Sequence, residues 1–323
     1  MENGTTRLTS RDFKETDMKK ITIILSMALA FCAGCQKAVE YDSPLSLSAE
    51  RNELSVAEGS TQVIVYANGE WTASLSDGCD WARIDRQEGN GLGQIIFSYD
   101  ENTSIVRKAV LTVTSGAHVK KIDMIQKSSS GTVISFIQDK WEVARCSGKA
   151  HLPFSSLIPE SETGNINVSV SEGCDWISGV SVFADEVMFD IARNDSGAIR
   201  TATVTAAFTD ALGKKTETSA KISQDMTEGK VIFGKSEDLS SEEAEIEVSF
   251  ETNMGLFIPQ LLQSLSCNSP WCKTAYADRH NAAFSLSVGQ NTTQASRQGR
   301  ITMSYTDNEG NTSNFYYIVL QKK

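Results

Sequence analysis

Short stretches in which apolar and polar residues alternate dominate the chain. In the segment AVLTVTS, Leu111 and Val113 fall on one face of an extended strand, and Val110 and Thr112 fall on the other. The segments TSGAH, TDALGK and TDNEGN interrupt this alternation, and their glycines suit hairpin turns that need a positive φ. The pattern therefore predicts an all-β protein of short antiparallel strands.

The same pattern occurs three times. The motif GCDW ends at Trp81 and again at Trp176, 95 residues later, and the same step leads to Trp271. Each copy then has an Asn-x-Ser/Thr turn, an arginine that opens a strand and a glutamine that closes the last strand. These residues are Asn102, Asn194 and Asn291, then Arg107, Arg200 and Arg297, then Gln126, Gln224 and Gln321. The period is too long for a solenoid and suits a chain of domains.

Each copy predicts an immunoglobulin-like β-sandwich, so that the fold class is all-β with tandem sandwiches. The expected bounds are 45–127, 131–225 and 229–323. Because the linkers between them are short, we expect separate sandwiches with limited flexibility and not one fused core.

The beginning of the chain has the features of an export signal. Met18, Lys19 and Lys20 precede an apolar run over 21–33, which is too short for a permanent membrane span. We expect a signal peptide over 1–34, with Met18 as the true start.

Ala33-Gly34-Cys35 resembles the lipobox of bacterial lipoproteins, although Cys32 stands where leucine is usual. The resemblance implies a lipid on Cys35, a tether over 35–44 and an outer-membrane lipoprotein of the cell envelope. Glu40 and Asp42, close after the anchor, are compatible with exposure at the cell surface, and the sequence leaves the leaflet open. The alternative is an ordinary secretory signal followed by an incidental cysteine.

The first copy also resembles a known domain family. NGEWTASLSDGCDWARI, a glycine-rich turn, an asparagine turn, Arg-x-Ala and a terminal glutamine are similar to the BACON domain (Bacteroidetes-associated carbohydrate-binding, often N-terminal). The other two copies keep the later half of this pattern. The resemblance implies an immunoglobulin-like sandwich on secreted or surface proteins of gut Bacteroidetes, with carbohydrate as the expected ligand.

The charge of the chain limits its partners. A formal net charge of −11 makes nucleic acid an unfavourable partner. The lipid anchor is the expected contact with the membrane, because no second long apolar run exists.

The repeated motif favours structure over catalysis. Ile166 and Leu261 replace Trp71 in the later copies, which indicates a buried apolar position. Trp81, Trp176 and Trp271 are expected to anchor the sandwich cores, and a sugar-stacking platform is the alternative. His118, His151 and His280 occur at unrelated places in the repeat, so we expect no catalytic residue, no metal site and no cofactor.

The cysteines allow two disulfides in an exported protein. Cys267 and Cys272 could close a small loop, and Cys146 could reach Cys174, which leaves Cys79 single. The alternative, in which all five thiols are free, stays open because sequence does not fix connectivity.

An apolar insertion distinguishes the third copy. Met254–Leu265 is expected to form a short helix over the end of the sandwich. In the alternative, Leu256, Phe257 and Ile258 are exposed for a protein partner.

Two functions compete on this evidence. The first is binding of polysaccharide or mucin glycan at the cell surface, for which Trp141, Tyr66, Tyr305 and Tyr316 are the nominated aromatic residues. The second is a spacer, or stalk, that holds a surface protein partner away from the membrane. An enzyme is not expected.

Overall fold

The computed structural model describes residues 40–235 and 238–323. The expected signal peptide, the start at Met18 and the lipidation site Cys35 lie outside the described residues. Within those two ranges, no helix is long and apolar enough to cross a membrane.

The first repeat forms two facing sheets. One sheet has the order β1-β3-β7-β5, and the other has the order β2-β9-β8-β4-β6. The strands are β1 (Leu45–Ala49), β2 (Glu53–Leu54), β3 (Gly59–Ala67), β4 (Glu70–Leu75), β5 (Ala82–Ile84), β6 (Glu88–Asn90), β7 (Gly93–Tyr99), β8 (Arg107–Ser115) and β9 (His118–Gln126).

The second repeat has sheets of order β10-β12-β15-β14 and β11-β17-β16-β13. Its strands are β10 (Ile134–Phe136), β11 (Lys140–Val143), β12 (Gly148–Ser156), β13 (Asn167–Val170), β14 (Ile177–Phe183), β15 (Glu186–Ile191), β16 (Arg200–Thr209) and β17 (Lys215–Gln224). A 3-10 helix over Glu160–Asn165 precedes β13.

The third repeat has sheets of order β18-β20-β23-β22 and β19-β25-β24-β21. Its strands are β18 (Val231–Phe233), β19 (Asp238–Leu239), β20 (Ala244–Thr252), β21 (Ser266–Cys267), β22 (Cys272–Ala275), β23 (Ala283–Val288), β24 (Arg297–Thr306) and β25 (Thr312–Gln321). The insertion folds as a 3-10 helix over Gly255–Phe257 and helix α1 over Ile258–Gln263.

The three repeats share one topology, which confirms an all-β fold of tandem β-sandwiches. The second strand of each repeat pairs in parallel with the last strand, as β2 with β9, β11 with β17 and β19 with β25. The alternation predicted in β8 is present, since Leu111 and Val113 are buried while Val110 and Thr112 are partly exposed. Gly116, Gly213 and Gly310 have φ of 55°, 82° and 86° at the three hairpins, as their turns require.

The described chain forms two compact units. Of the described residues, the first unit contains most of the first repeat, up to Asn52 and over Ser60–Ser98 and Val110–Ile122, and the second contains Glu53–Gly59, Tyr99–Ala109 and those from Asp123 onwards. The second and third sandwiches therefore belong to one unit. Their buried side chains form a single continuous core, so the expectation of separate sandwiches is wrong for this pair.

The insertion explains why the two sandwiches share a core. Leu256, Phe257 and Leu261 are at most 1% exposed, and Met254 makes a β-bridge to Val143 of the second sandwich. A short helix with apolar residues on every side must be buried from all sides, and one sandwich end covers only part of it. The expected helix is confirmed, and the alternative of exposed Leu256, Phe257 and Ile258 is wrong, since Ile258 is only 6% exposed as well.

Candidate functional site

The repeated arginine and glutamine form a structural latch in every sandwich. Arg107 Nε donates to Gln126 Oε1 at 2.8 Å, and the same 2.8 Å bond joins Arg200 to Gln224 and Arg297 to Gln321. Each glutamine Nε2 then donates to main-chain carbonyls of the second strand region, such as Ser241 O and Glu242 O in the third sandwich. The latch thus satisfies buried carbonyls where the parallel strand pair ends.

The turn asparagines complete the latch. Asn102, Asn194 and Asn291 are at most 5% exposed. Each donates its Nδ2 to main-chain carbonyls across the turn, as from Asn291 to Ala295 O at 2.9 Å and Lys322 O at 2.8 Å. This geometry supports their interpretation as turn formers.

The tryptophans that end the repeated motif are packed to different degrees. Trp176 is 8% exposed, whereas Trp81 and Trp271 are partly buried. The guanidinium of Arg200 lies 4.6 Å from the centre of the Trp176 ring, and that of Arg297 lies 4.3 Å from the Trp271 ring. The rings of Trp176 and Trp271 therefore each stack on the latch arginine of their own sandwich.

Trp71 occupies a core position, as its replacements indicated. It is 1% exposed, and Ile166 and Leu261 are 6% and 0% exposed. A Cβ at Gly89 or at Gly93 would lie 2.3 Å from the Trp71 ring, so the first sandwich makes room for this indole with glycine.

Two of the four nominated aromatics are wrong as sugar platforms. Trp141 is 9% exposed and Tyr305 is 3% exposed, because the insertion and the second sandwich cover them. Tyr305 Oη donates to Ser147 O at 2.5 Å. Tyr66 is partly buried with its ring 5.4 Å from that of Tyr41, and only Tyr316 is well exposed, at 52%.

The cysteines follow one of the two expected pairings. Cys267 and Cys272 form a disulfide. Cys146 and Cys174 are free thiols, so that pairing is wrong, and Cys79 is not part of a disulfide. Burial raises the pKa of Cys146 to about 11, which keeps this thiol protonated at neutral pH. In the part of the chain that the structure describes, no group of three His, Cys, Asp or Glu side chains is placed to hold a metal ion.

An open groove lies beside Trp271 in the third sandwich, and we call it the Trp271 groove. Its volume is about 600 Å³, and its walls combine an aromatic ring with exposed polar side chains. The lining residues are Glu243, Ala244 and Glu245 from the start of β20, Pro270, Trp271 and Lys273 around β22, and Ser287, Val288 and Gly289 at the end of β23. Strand register places Ser287 between Glu245 and Lys273 in one row across the sheet.

The sequence did not single out this groove, because Trp271 was interpreted as a core residue. The indole does pack inward, since a Cβ at Gly299 would meet its ring at 3.0 Å. Trp271 is nevertheless partly exposed and lines the groove, beside Gly289, which has no side chain. Gly289 N donates to Trp271 O at 2.8 Å, and Ala192 makes the equivalent bond to Trp176 in the second sandwich. The sequence signal that could have indicated the groove is the change from Ala192 in the second repeat to Gly289 in the third.

A second cavity of about 460 Å³ lies where the second and third sandwiches meet, and we call it the junction cleft. It is lined by Lys149 and His151 of β12, by Pro259, Gln260 and Gln263 of helix α1, and by Tyr276 and Arg279 between β22 and β23.

A buried carboxylate lies behind the junction cleft. Glu186 is 1% exposed, with Oε1 3.0 Å from His151 Nδ1 and Oε2 3.2 Å from His280 Nε2. Burial alone would raise the pKa of Glu186. The hydrogen bond with His151, the imidazole of His280 close to Oε2 and the charge of Arg279 outweigh that cost and lower the pKa from 4.5 to about 2. The structure thus brings together two histidines that are unrelated in the repeat.

No family model and no curated protein matches the chain. Among solved structures, a Bacteroides ovatus GH5 xyloglucanase in complex with a XXXG heptasaccharide matches at 23% identity and a TM-score of 0.24, over 26% of this chain and 19% of that one. The titin I-band fragment I67-I69 matches at 9% identity and a TM-score of 0.26, over 86% of this chain and 98% of that one.

Protocadherin Gamma B7 matches at 10% identity and a TM-score of 0.23, over 85% of this chain and 76% of that one. The chain thus spans about a fifth of the length of the xyloglucanase that it matches. At these TM-scores, the likenesses carry no argument about function.

Proposed function

We propose that this protein is a non-catalytic, lipid-anchored protein of the cell envelope that binds a glycan in the Trp271 groove. The observation that carries the proposal is a partly exposed tryptophan in an open groove whose walls hold carboxylates, an ammonium group and a hydroxyl. The resemblance of 45–127 to BACON domains and the lipobox-like Cys35 support the carbohydrate ligand and the anchor.

The chemistry of the groove suits a sugar. An aromatic surface packs against the apolar C–H face of a pyranose, and a few fixed polar groups orient the ligand. Glu243 and Glu245 accept hydrogen bonds from sugar hydroxyls, and Lys273 donates them. The groove is open and shallow enough to admit a chain in its middle as well as an end.

The same carboxylates favour binding over hydrolysis. Glycoside hydrolysis uses two carboxyl groups that flank the scissile bond from opposite sides. Glu243 directly precedes β20 and Glu245 is its second residue, so both come from the β20 side of a groove whose other walls are β23 and β22. Carboxyls in this arrangement can hold hydroxyls but do not straddle a glycosidic bond.

Affinity electrophoresis tests the proposal. The purified chain is run through gels that contain mucin or one of a panel of plant and microbial polysaccharides. We expect retardation by some glycans and not by others. Glu245→Gln and Gly289→Ala should each reduce the retardation, because the first replaces a charged acceptor by a weaker neutral amide and the second narrows the groove.

The matched control is Glu247→Gln, the next outward residue of β20, which lies outside the groove lining. It makes the same charge change and should leave the retardation intact. Unretarded migration of the folded wild-type protein in every gel would contradict glycan binding for the panel.

The second candidate function, a stalk, is favoured by one observation. The continuous core of the second and third sandwiches makes this pair a single body and not a flexible tether. A rigid pair would hold a partner at a fixed distance from its anchor. Glycan binding and a spacing role are compatible in one surface protein, and the gels separate them.

A further inference from the structure

We propose that the junction cleft is a second saccharide site, and that it accepts an acidic sugar unit that carries a carboxylate or a sulfate. The inference rests on the proposed function, because it assumes that the ligand is a glycan. It assigns to that glycan a charged unit that the Trp271 groove does not suit.

The lining of the junction cleft is rich in hydrogen-bond donors. Lys149 and Arg279 contribute two cations, and Gln263 contributes an amide from helix α1, whereas Gln260 Nε2 already donates to Thr306 O at 3.1 Å. No lining residue of this cleft is a carboxylate. Tyr276, which is 42% exposed, offers an aromatic surface beside them. An anionic group on a pyranose ring matches this combination of cations and aromatic ring.

Buried Glu186, behind the cleft, holds two of its lining residues in position. Buried Glu186 holds His151 through Oε1, and Arg279 Nη2 lies 3.6 Å from Oε2. Because an ionised carboxylate only accepts hydrogen bonds, His151 donates through Nδ1 and its Nε2 is left for other partners. Groups that are positioned before the ligand arrives lose less entropy on binding.

The cations already have acidic partners, and these set the limit on affinity. Lys149 Nζ lies 2.9 Å from Asp190, and Arg279 lies 2.5 Å from Asp185. Asp185 and Asp190 are 63% and 38% exposed, so each pair is of the exposed kind that contributes about 0–1 kcal/mol. A ligand anion can share or replace such partners at small cost, whereas buried Glu186 stays in place.

The two cavities differ in the charge that they present. The Trp271 groove is lined by Glu243, Glu245 and a single cation, Lys273, which repel an anionic ligand on balance. The lining of the junction cleft has Lys149 and Arg279 and no carboxylate, and the acidic partners of these cations, Asp190 and Asp185, lie outside the lining. The cleft also exists only because helix α1 and the β22–β23 segment of the third sandwich meet β12 of the second, which no single repeat could supply.

Isothermal titration with matched oligosaccharides tests the inference. The purified full chain is titrated at fixed ionic strength with galacturonate oligomers and with the same oligomers as methyl esters, which keep the backbone and remove the charge. A sulfated galactan and its desulfated form make the second matched pair, so that carboxylate and sulfate are distinguished. We expect the charged member of at least one pair to bind about tenfold more tightly, equivalent to about 1.4 kcal/mol.

Variants place the binding in the cleft. Lys149→Gln should weaken binding of the charged oligomer about fivefold, the effect of one exposed ion pair. Tyr276→Ala should weaken it as well, and Tyr276→Phe should restore it because the ring is kept. Lys221→Gln makes the same charge change at an exposed position of β17, outside the lining of the cleft, and should have no effect on binding.

Three results would overturn the inference. They are equal binding of charged and uncharged oligomers, equal effects of Lys149→Gln and Lys221→Gln, and binding of neutral glycans alone. The last result would leave the proposed function intact. If no glycan of either kind binds, the proposed function fails together with this inference.

Discussion

The second and third sandwiches carry the same tryptophan in the same register, yet Trp271 lines an open groove whereas Trp176 is only 8% exposed. Ile177 follows Trp176 and pairs with Ile191, the last residue of β15, which also pairs with Gly148. In the same way, Cys272 follows Trp271 and pairs with Val288, the last residue of β23, which also pairs with Ala244. In the second sandwich, this edge is covered by the third sandwich. Tyr305 Oη bonds to Ser147 O, and Asn308 N donates to Ser147 Oγ at 3.2 Å. In the third sandwich, the equivalent Glu243 and Ala244 line the open groove.

The comparison shows that the repeated motif builds a sandwich, and that its surroundings decide what is available to a ligand. At the edge that the third sandwich covers, this position is Gly148, and at the open edge of the third sandwich it is Ala244. A Cβ at Gly148 would lie 2.2 Å from Tyr305 Oη, so the close approach of the third sandwich requires glycine there. Function is therefore expected where the repeat departs from its own pattern.

The largest expected effect comes from removing the side chain that joins the two sandwiches. Phe257 is fully buried between them, next to Tyr305 at a ring distance of 5.2 Å. Phe257→Ala should lower the free energy of unfolding by about 3–5 kcal/mol, measured by urea denaturation, because it leaves a cavity. Phe183→Ala, at a position 59% exposed, is the control and should change it by less than about 0.5 kcal/mol.

The buried carboxylate of Glu186 should make the free energy of unfolding depend on pH in the acidic range. Because the pKa of Glu186 is about 2 in the fold against 4.5 ordinarily, its contribution is full above pH 4.5 and is lost as the pH falls towards 2. The shift corresponds to roughly 3 kcal/mol. Glu186→Gln should be less stable than wild type at neutral pH and should lose less between pH 4.5 and 2. An identical loss in both proteins would assign the acid sensitivity to other groups.

The glycine at the covered edge gives a test of intermediate size. Gly148→Ala should destabilise the protein by about 1–3 kcal/mol in the same denaturation experiment, because Tyr305 must move away from the new methyl group. Ala244→Gly makes the reverse change at the open edge and should cost about 1 kcal/mol or less, which is the ordinary penalty of glycine. Equal effects would mean that the third sandwich is not packed on this edge.

The smallest effect on stability should come from the groove itself. A Cβ at Gly289 would lie 3.6 Å from Trp271 O, an ordinary contact, so Gly289→Ala should leave the free energy of unfolding within about 0.5 kcal/mol. The same change should weaken retardation in the affinity gels. Loss of stability without loss of retardation would place the ligand elsewhere.

Much of the fold was predictable because it depends on local signals. Strand alternation, turn glycines and the recurring arginine, asparagine and glutamine defined three sandwiches, and the burial of Trp71, Ile166 and Leu261 followed from their exchange for one another. Contacts between sandwiches were not predictable. No periodicity reveals that Trp141 and Tyr305 are covered by another domain, or that Glu186 brings His151 and His280 together.

The indole N–H signals of the five tryptophans provide the most direct test of the account. A glycan that retards the protein in gels is titrated into ¹⁵N-labelled protein, and the signals are followed by ¹H–¹⁵N correlation NMR after assignment by single Trp→Phe variants. The account predicts that the signal of Trp271 shifts with glycan concentration while that of Trp176 stays fixed. A shift of Trp176 with Trp271 unmoved would contradict the placement of the site in the third sandwich.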